Sequence, residues 1–427
     1  MKKRLALSVG LAGVSIAALC TGLLLYQPGA LGDRLGVLAS RLLPWLALAA
    51  LIFCALFFFS PRGHVKLPAV GEARRSTLAW IASLFSVFAA ANAPLFLLEN
   101  VAFTVMPPAG AQTLSSAPSS PLAAAFPALA TACLCAAGKK ASGFFCAACA
   151  WLGSLVAVTL CLCQSLPVAA HSAALLPFFS GQEIPAWAVL LLCAAIYAAL
   201  AARKKEEPLR FAAGFASLAF LLVFLTACGM GPLMRSIAQT IRAFAQELPS
   251  AFSNDGLALA YWLCWSPAIA NFSVHASGGR GTRETVVAVY CTGFCGALLM
   301  RAVFGAYGLR LLESAAEAGY ASLAPGKTLA QSIAKLFYAL PYPSMDAALL
   351  ALGMVLICIS AMRFAIWQLP CRGAPVAAAG VLAAIPAFCV LLAGRPQNAQ
   401  AILLVIALCA GIAGYAFWVY GIIRKLR

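Results

Sequence analysis

The chain has 427 residues, of which 63% are hydrophobic and only 10% charged. A soluble domain carries roughly a quarter charged residues, so most of this surface is expected to face lipid. The formal net charge of +17 lies in short clusters between apolar runs and not on one basic domain, which argues against a nucleic-acid partner.

Apolar stretches close to the ~20 residues needed to cross a hydrocarbon core recur along the whole chain. Backbone amides in that core must bond within their own segment, so each stretch is expected to be helical. The short alternating segments of a transmembrane barrel are not found. The first stretch, opened by Lys2, Lys3 and Arg4, could be a signal peptide, but its apolar run is nearly of spanning length and reads as span 1. Spans are expected near 5–26, 42–60, 77–98, 119–138, 143–164, 186–202, 210–228, 256–274, 285–307, 343–363, 375–393 and 400–423. Pro61, Pro208, Pro341 and Pro343 fall at or near boundaries, as helix breakers do.

With the N-terminus inside, Lys and Arg concentrate in alternate loops. Arg62, Lys66, Arg74 and Arg75 follow span 2, Lys139 and Lys140 follow span 4, and Arg203, Lys204, Lys205 and Arg210 follow span 6. Arg280 and Arg283 follow span 8, Arg363 and Arg372 span 10, and Arg424, Lys425 and Arg427 span 12. The outer loop 99–118 carries none. This is the positive-inside pattern, and it places both termini in the cytoplasm of a bacterial inner-membrane protein. Residues 233–250 repeat Leu233, Ile237, Ile241, Phe244 and Leu248 at helical spacing, with Arg235, Gln239, Arg242 and Gln246 between them. They predict an amphipathic helix on the outer surface. Loop 308–340 is similar in character.

Most of the 17 cysteines lie within apolar runs, where cysteine behaves as a small hydrophobe. Cys146 and Cys149 form a C-x-x-C with no His or carboxylate beside it. His64, His171 and His275 are far apart, so no metal site or cofactor is expected. No nucleophile–base set points to an enzyme, and no nucleotide-binding glycine loop is present. Uphill transport then needs an ion gradient, exchange or a partner subunit.

Polar residues inside spans are costly and mark candidate sites. Asn92-Ala93-Pro94 in span 3 is either a simple kink or the broken helix that transporters use at the midplane. Glu99 and Asn100 close that span. Arg301 and Arg363 either snorkel to the interface or serve a site. Span 8 carries Tyr261, Trp262, Trp265, Ser266 and Pro267. Trp262 and Trp265 share one helix face with Tyr261 behind them. Such a cluster suits a quaternary ammonium group, or forms an interfacial aromatic belt.

Span 8 and the loop after it resemble the betaine–choline–carnitine transporter family. That family has two aromatics, two residues and Trp-Ser-Pro in span 8, then a Ser-Arg-Gly-Arg-Thr-x-Arg-Glu loop. Ser277, Gly279, Arg280, Arg283 and Glu284 match it in register with Trp262, Trp265, Ser266 and Pro267. Ser60, Gly63, Val65, Lys66 and Leu67 resemble the family's loop after span 2. Trp80, Gly231-Pro232, Phe304-Gly305, Ser360-Ala361 and Leu391–Gly394 with Gln400 match in order. The resemblance implies a five-plus-five inverted-repeat fold of the LeuT type with two added N-terminal helices. The chain then divides into 1–76, the first repeat 77–228, the outer helix 229–255 and the second repeat 256–427. It also implies alternating access, a homotrimer in the lipid bilayer and a small trimethylammonium or related zwitterionic substrate. Trp262, Trp265 and Tyr261 would form part of its aromatic box and Phe126 another part.

The sequence departs from the family at three places. The glycine-rich segment of span 3 is here Phe88-Ala89-Ala90-Ala91-Asn92-Ala93-Pro94, so Pro94 would supply the break. In span 4 the family's two tryptophans and tyrosine fall on Pro118, Ala123 and Phe126. In span 10 the family's Thr-Ser-Ala-Asp-Ser becomes Ile359-Ser360-Ala361-Met362-Arg363. Sodium is the coupling ion implied by sodium-coupled relatives, but only Ser360 of the Thr-Ser pair stands here, which argues against it. Arg363 suggests a fixed charge in place of the ion.

Overall fold

The computed structural model describes residues 31–67, 76–106, 121–137, 144–203, 207–254, 256–317 and 328–367. Span 1, spans 11 and 12, Pro118, Lys139, Lys140 and the segment Leu391–Gly394 with Gln400 lie outside the described residues. Those described are helical with no strand: α1 Leu31–Phe59, α2 Thr77–Ala90, α3 Ala93–Val105, α4 Pro121–Ala137, α5 Phe144–Ala174, α6 Ala186–Ala202, α7 Leu209–Cys228, α8 Met230–Asn254, α9 Gly256–Ala276, α10 Thr282–Glu317, α11 Leu329–Tyr338 and α12 Pro343–Trp367.

Among the described residues, five helices are long and apolar enough to cross a membrane, and the bent pair α2–α3 makes a sixth. The helices α4 and α6 are apolar but shorter. Expected and observed limits agree closely for spans 6, 7 and 10. Spans 5 and 9 run about ten residues longer, through Ala174 and Glu317. At 1.5 Å per residue α10 is about 54 Å long, more than a bilayer core, so its ends stand clear of the hydrocarbon.

Packing sorts the helices into two groups. In one, α4, α9 and α10 pack together, with α1 against α4 and α9; in the other, α5 lies along α12, flanked by α6. Between them, α2 packs on α7 and α3 on α10. Close approach of α2 and α7 depends on Gly214, whose N–H donates to Ser86 Oγ at 3.2 Å; an added Cβ there would lie 3.1 Å from the Ser86 Cβ. The outward faces keep large apolar side chains exposed, such as Trp45, Leu56 and Phe59 on α1 and Phe215 and Leu222 on α7. Lipid is the solvent that makes such exposure favourable.

The segment 233–250 lies within the amphipathic helix α8. Ser236 Oγ donates to the Ala302 carbonyl at 2.6 Å, and Arg235 pairs with Glu313 at 2.6 Å, which fixes α8 to α10. Its exposed side includes Met234 and Ile241. Of the expected loop 308–340, residues 308–317 belong to α10, and 329–338 form the short helix α11, capped by Thr328 Oγ1, which accepts from the Gln331 N–H at 3.3 Å.

Candidate functional site

The most informative local structure is the break between α2 and α3. Asn92 has φ 67°, the one non-glycine residue with positive φ among those described, and the helix axes differ by 53° across it. Pro94 has no N–H, so the Ala90 carbonyl loses its helical donor. The Leu95 N–H turns to Asn92 O at 3.1 Å, which frees the Ala91 carbonyl as well. An unpaired carbonyl at this depth has no water to turn to. Two other helices supply the missing donors. Tyr261 Oη of α9 donates to Ala91 O at 2.8 Å, and Cys161 Sγ of α5 donates to Ala90 O at 3.6 Å. Asn92 Nδ2 reaches Ser165 Oγ of α5 at 3.5 Å. The break is therefore held from both helix groups.

Aromatic rings surround it. Tyr261 packs edge-on against Phe96 at 4.8 Å, and Trp262 lies against Phe88 at 5.7 Å with a 38° tilt. Tyr261 and Trp262 meet edge to face at 6.4 Å. Tyr261, Trp262 and Trp265 are all buried. One turn further on, Pro267 cannot donate to the Leu263 carbonyl, and Ser266 Oγ bonds back to Trp262 O at 2.6 Å, a pairing that bends helices. The interfacial-belt alternative does not describe these rings, which sit in the core. Nor is Tyr261 a backing residue: it touches the break itself, while Trp262 faces Phe88.

Three buried polar atoms here have no hydrogen-bond partner: Asn92 Oδ1, Trp262 Nε1 and Trp265 Nε1. Buried polar groups are nearly always paired, so the acceptor at the helix break and the two indole donors on α9 fit a polar ligand. The ring faces add apolar and cation-attracting surface. A cation sits within about 6 Å of a ring centroid, so two rings flanking one cation stand farther apart than Phe88 and Trp262 do. The structure thus holds the aromatic cluster closed on itself. Gly293 of α10 permits this, since a Cβ there would fall 2.6 Å from the Phe88 ring.

Phe126 is buried in α4, which packs along α9, and belongs to the same apolar core. Ser360 and Arg363 belong to a different cluster at the start of α7. Ser360 Oγ donates to Leu209 O at 3.1 Å, and Arg363 lies 3.8 Å from the exposed carboxylate of Glu207. Beside them Arg210, 6% exposed, lies over the Phe272 ring at 4.9 Å. Glu207 thus already faces the Arg363 charge, and the buried Arg210 directly follows Leu209, whose carbonyl accepts from Ser360.

The loop residues form a third group. Trp80 Nε1 donates to Ser277 Oγ at 2.9 Å, and the Arg280 guanidinium stacks on Trp80 at 4.0 Å while pairing with Glu284 at 2.6 Å. Leu67 N–H donates to Arg280 O, Gly279 N–H to Leu67 O and Thr282 Oγ1 to Gly63 O. Gly279 has φ 78°, a conformation that favours glycine. Arg283 Nη2 reaches Ser60 O at 3.4 Å. These residues tie the loop after α1 and the start of α2 to the α9–α10 connection; they are not part of the aromatic cluster.

A family model for the betaine/carnitine/choline family transporters, BCCT, matches residues 187–408. The chain belongs to this family. No curated protein sequence matches it. The BCCT match contains Tyr261, Trp262, Trp265, the 277–284 loop, Ser360 and Arg363, whereas Asn92, Pro94 and Phe126 precede it. BCCT proteins are transporters of betaine, choline and carnitine-type solutes, and multi-pass membrane character agrees with the apolar helices described above. Phe88, Phe96, Cys161 and Ser165 are the site residues that sequence reasoning missed. Cys161 read as a small hydrophobe because its role, donating a weak S–H bond to a freed carbonyl, depends on a break in another helix.

Proposed function

We propose that this chain is a secondary transporter of small quaternary-ammonium or related zwitterionic solutes, working by alternating access. The observation that carries the reading is the seating of Tyr261 and Trp262 on the broken α2–α3 segment, with Asn92 Oδ1 and the two indole N–H groups left for a ligand. Broken helices at the junction of two repeats are where such transporters bind substrate. The grouping of α4, α9 and α10 on one side and α5 with α12 on the other fits a twelve-span, five-plus-five inverted repeat. The same reading takes the protein to be a homotrimer of the bacterial inner membrane with both termini in the cytoplasm. In it, Trp262 and Trp265 bind the ammonium group after Phe88 moves aside, Phe126 closes the box from α4, and Tyr261 holds the break.

For coupling, the Ser360 hydroxyl is occupied by Leu209 O and Arg210 and Arg363 place fixed positive charge nearby. A sodium ion is disfavoured there, and the reading is sodium-independent transport.

A second reading has its own observation. Asn92 Oδ1 is an unpaired acceptor, and a quaternary ammonium has no N–H to give it. An amino acid or another unmethylated zwitterion does. The test is counterflow in liposomes containing the purified protein, preloaded with choline, glycine betaine, carnitine or an unmethylated amino acid mixture. Exchange of a trimethylammonium compound, indifferent to sodium, bears out the first reading; exchange of unmethylated solutes alone bears out the second. Binding without exchange of either would make the protein a transport-deficient ligand binder.

A further inference from the structure

The buried arginines among the described residues are Arg210, Arg280 and Arg363. Arg280 pairs with Glu284 and Arg363 with Glu207. Arg210 has no carboxylate partner among the described residues. Its guanidinium carbon stands 4.9 Å from the centre of the Phe272 ring and 5.8 Å from that of Phe211, and its Nε is buried with no hydrogen-bond partner. The helices around it cannot neutralise it. No acidic residue occurs in α2, α7 or α9, and α12 has only Asp346, in its first turn and so at the far end from Arg363. Local backbone adds to the positive potential. Arg210 lies in the first turn of α7, the end of a helix that favours an anion, and that turn has neither an acidic residue nor a side-chain cap. The Arg210 and Phe211 N–H groups are already bonded to the Glu207 and Pro208 carbonyls. The turn therefore supplies field, and the guanidinium supplies the donors. A phenyl face returns far less than the burial of an unpaired charge costs, so a counter-charge is missing.

We propose that Arg210 binds a small inorganic anion of chloride size where α7 meets α9 and α12. A guanidinium only 6% exposed, with a ring against one face, suits a monatomic ion better than the carboxylate of a larger solute. The ion accepts from the guanidinium N–H groups. It offsets the Arg210 charge beside the contact of Ser360 with Leu209 O that joins α12 to α7, and so stabilises that joint. The Ser360 hydroxyl stays occupied and Arg363 stays beside it, so the sodium-independent reading is unaffected. Binding at Arg210 stands whether or not the chain transports.

The experiment follows thermal unfolding of the purified full-length protein in detergent while potassium chloride replaces potassium gluconate at constant ionic strength. The midpoint is expected to rise with chloride and saturate, by about 3 °C once chloride reaches a hundred times its dissociation constant. Bromide should act as chloride does. Arg210→Gln keeps hydrogen-bonding capacity and drops the charge, and it should lose the response. Equal wild-type midpoints in chloride and gluconate, a rise that stays linear without saturating, or the full response retained in Arg210→Gln each overturn the proposal. Should Arg210→Gln fail to fold, anomalous scattering from wild-type crystals grown in bromide decides. A bromide peak at the Arg210 guanidinium supports the site, and no peak there overturns it.

Discussion

Asn92 serves the break in two separable ways, through its backbone and through its side chain. Its φ of 67° costs an ordinary L-residue about 1–2 kcal/mol, a cost glycine escapes. Its side-chain bond to Ser165 is 3.5 Å long, at the weak end of interhelical bonds that average about 0.6 kcal/mol in membranes. Asn92→Gly keeps the backbone conformation and should change stability by less than about 1 kcal/mol. Asn92→Ala adds the left-handed strain and should cost about 1–2 kcal/mol more, a fall in thermal midpoint of about 1–2 °C. Both remove the unpaired Oδ1. If that atom accepts from the ligand, both weaken binding by about 1–2 kcal/mol, or roughly 5–30-fold. The loss should be larger for choline and carnitine, whose hydroxyl can donate, than for glycine betaine, which has no donor. Thermal unfolding in detergent, paired with tryptophan-fluorescence titration, reads the two effects separately. Wild-type affinity for every probe in Asn92→Gly would refute the side-chain role, and equal stability of the two variants would refute the backbone role.

Three further outcomes are expected. Tyr261→Phe leaves the Ala91 carbonyl unpaired and should destabilise the protein by about 1–3 kcal/mol, seen as a lower thermal midpoint, while an unchanged midpoint would mean the break needs no donor from α9. Gly293→Ala drives a Cβ into the Phe88 ring and should either cost about 1–3 kcal/mol or push Phe88 onto Trp262 and weaken binding; thermal and fluorescence titrations together detect either. Arg280→Ala removes the stack on Trp80 and the Glu284 pair, so proteolysis of the loop after α1 should speed up while substrate affinity stays near wild type.

Spans 2, 3, 5, 7, 9 and 10 were readable because lipid imposes one demand, an apolar helix of sufficient length, and these segments of the sequence meet it. The α6 limits and the bent span 3 follow from Pro185, Asn92 and Pro94. The extra turns of α5 and α10 were not readable, since they depend on what packs beyond the hydrocarbon. Trp262 and Tyr261 stood out by composition, but their separate duties did not. Which ring touches the break depends on how α9 is rotated against α2 and α3, and that is fixed by tertiary packing. Arg363 stood out as a charge in a span; its partner Glu207 lies more than 150 residues earlier, and the more deeply placed Arg210 read only as loop charge.

The central claim is that the closed aromatic cluster at the α2–α3 break opens to bind a trimethylammonium group. The direct measurement is tryptophan fluorescence of the purified protein titrated with choline, glycine betaine and carnitine, in wild type and Trp262→Ala. The account predicts saturable quenching by at least one of the three, weakened by about 1–2 kcal/mol or more in the variant and insensitive to sodium. No response to any of them, or an affinity unchanged by Trp262→Ala, contradicts it.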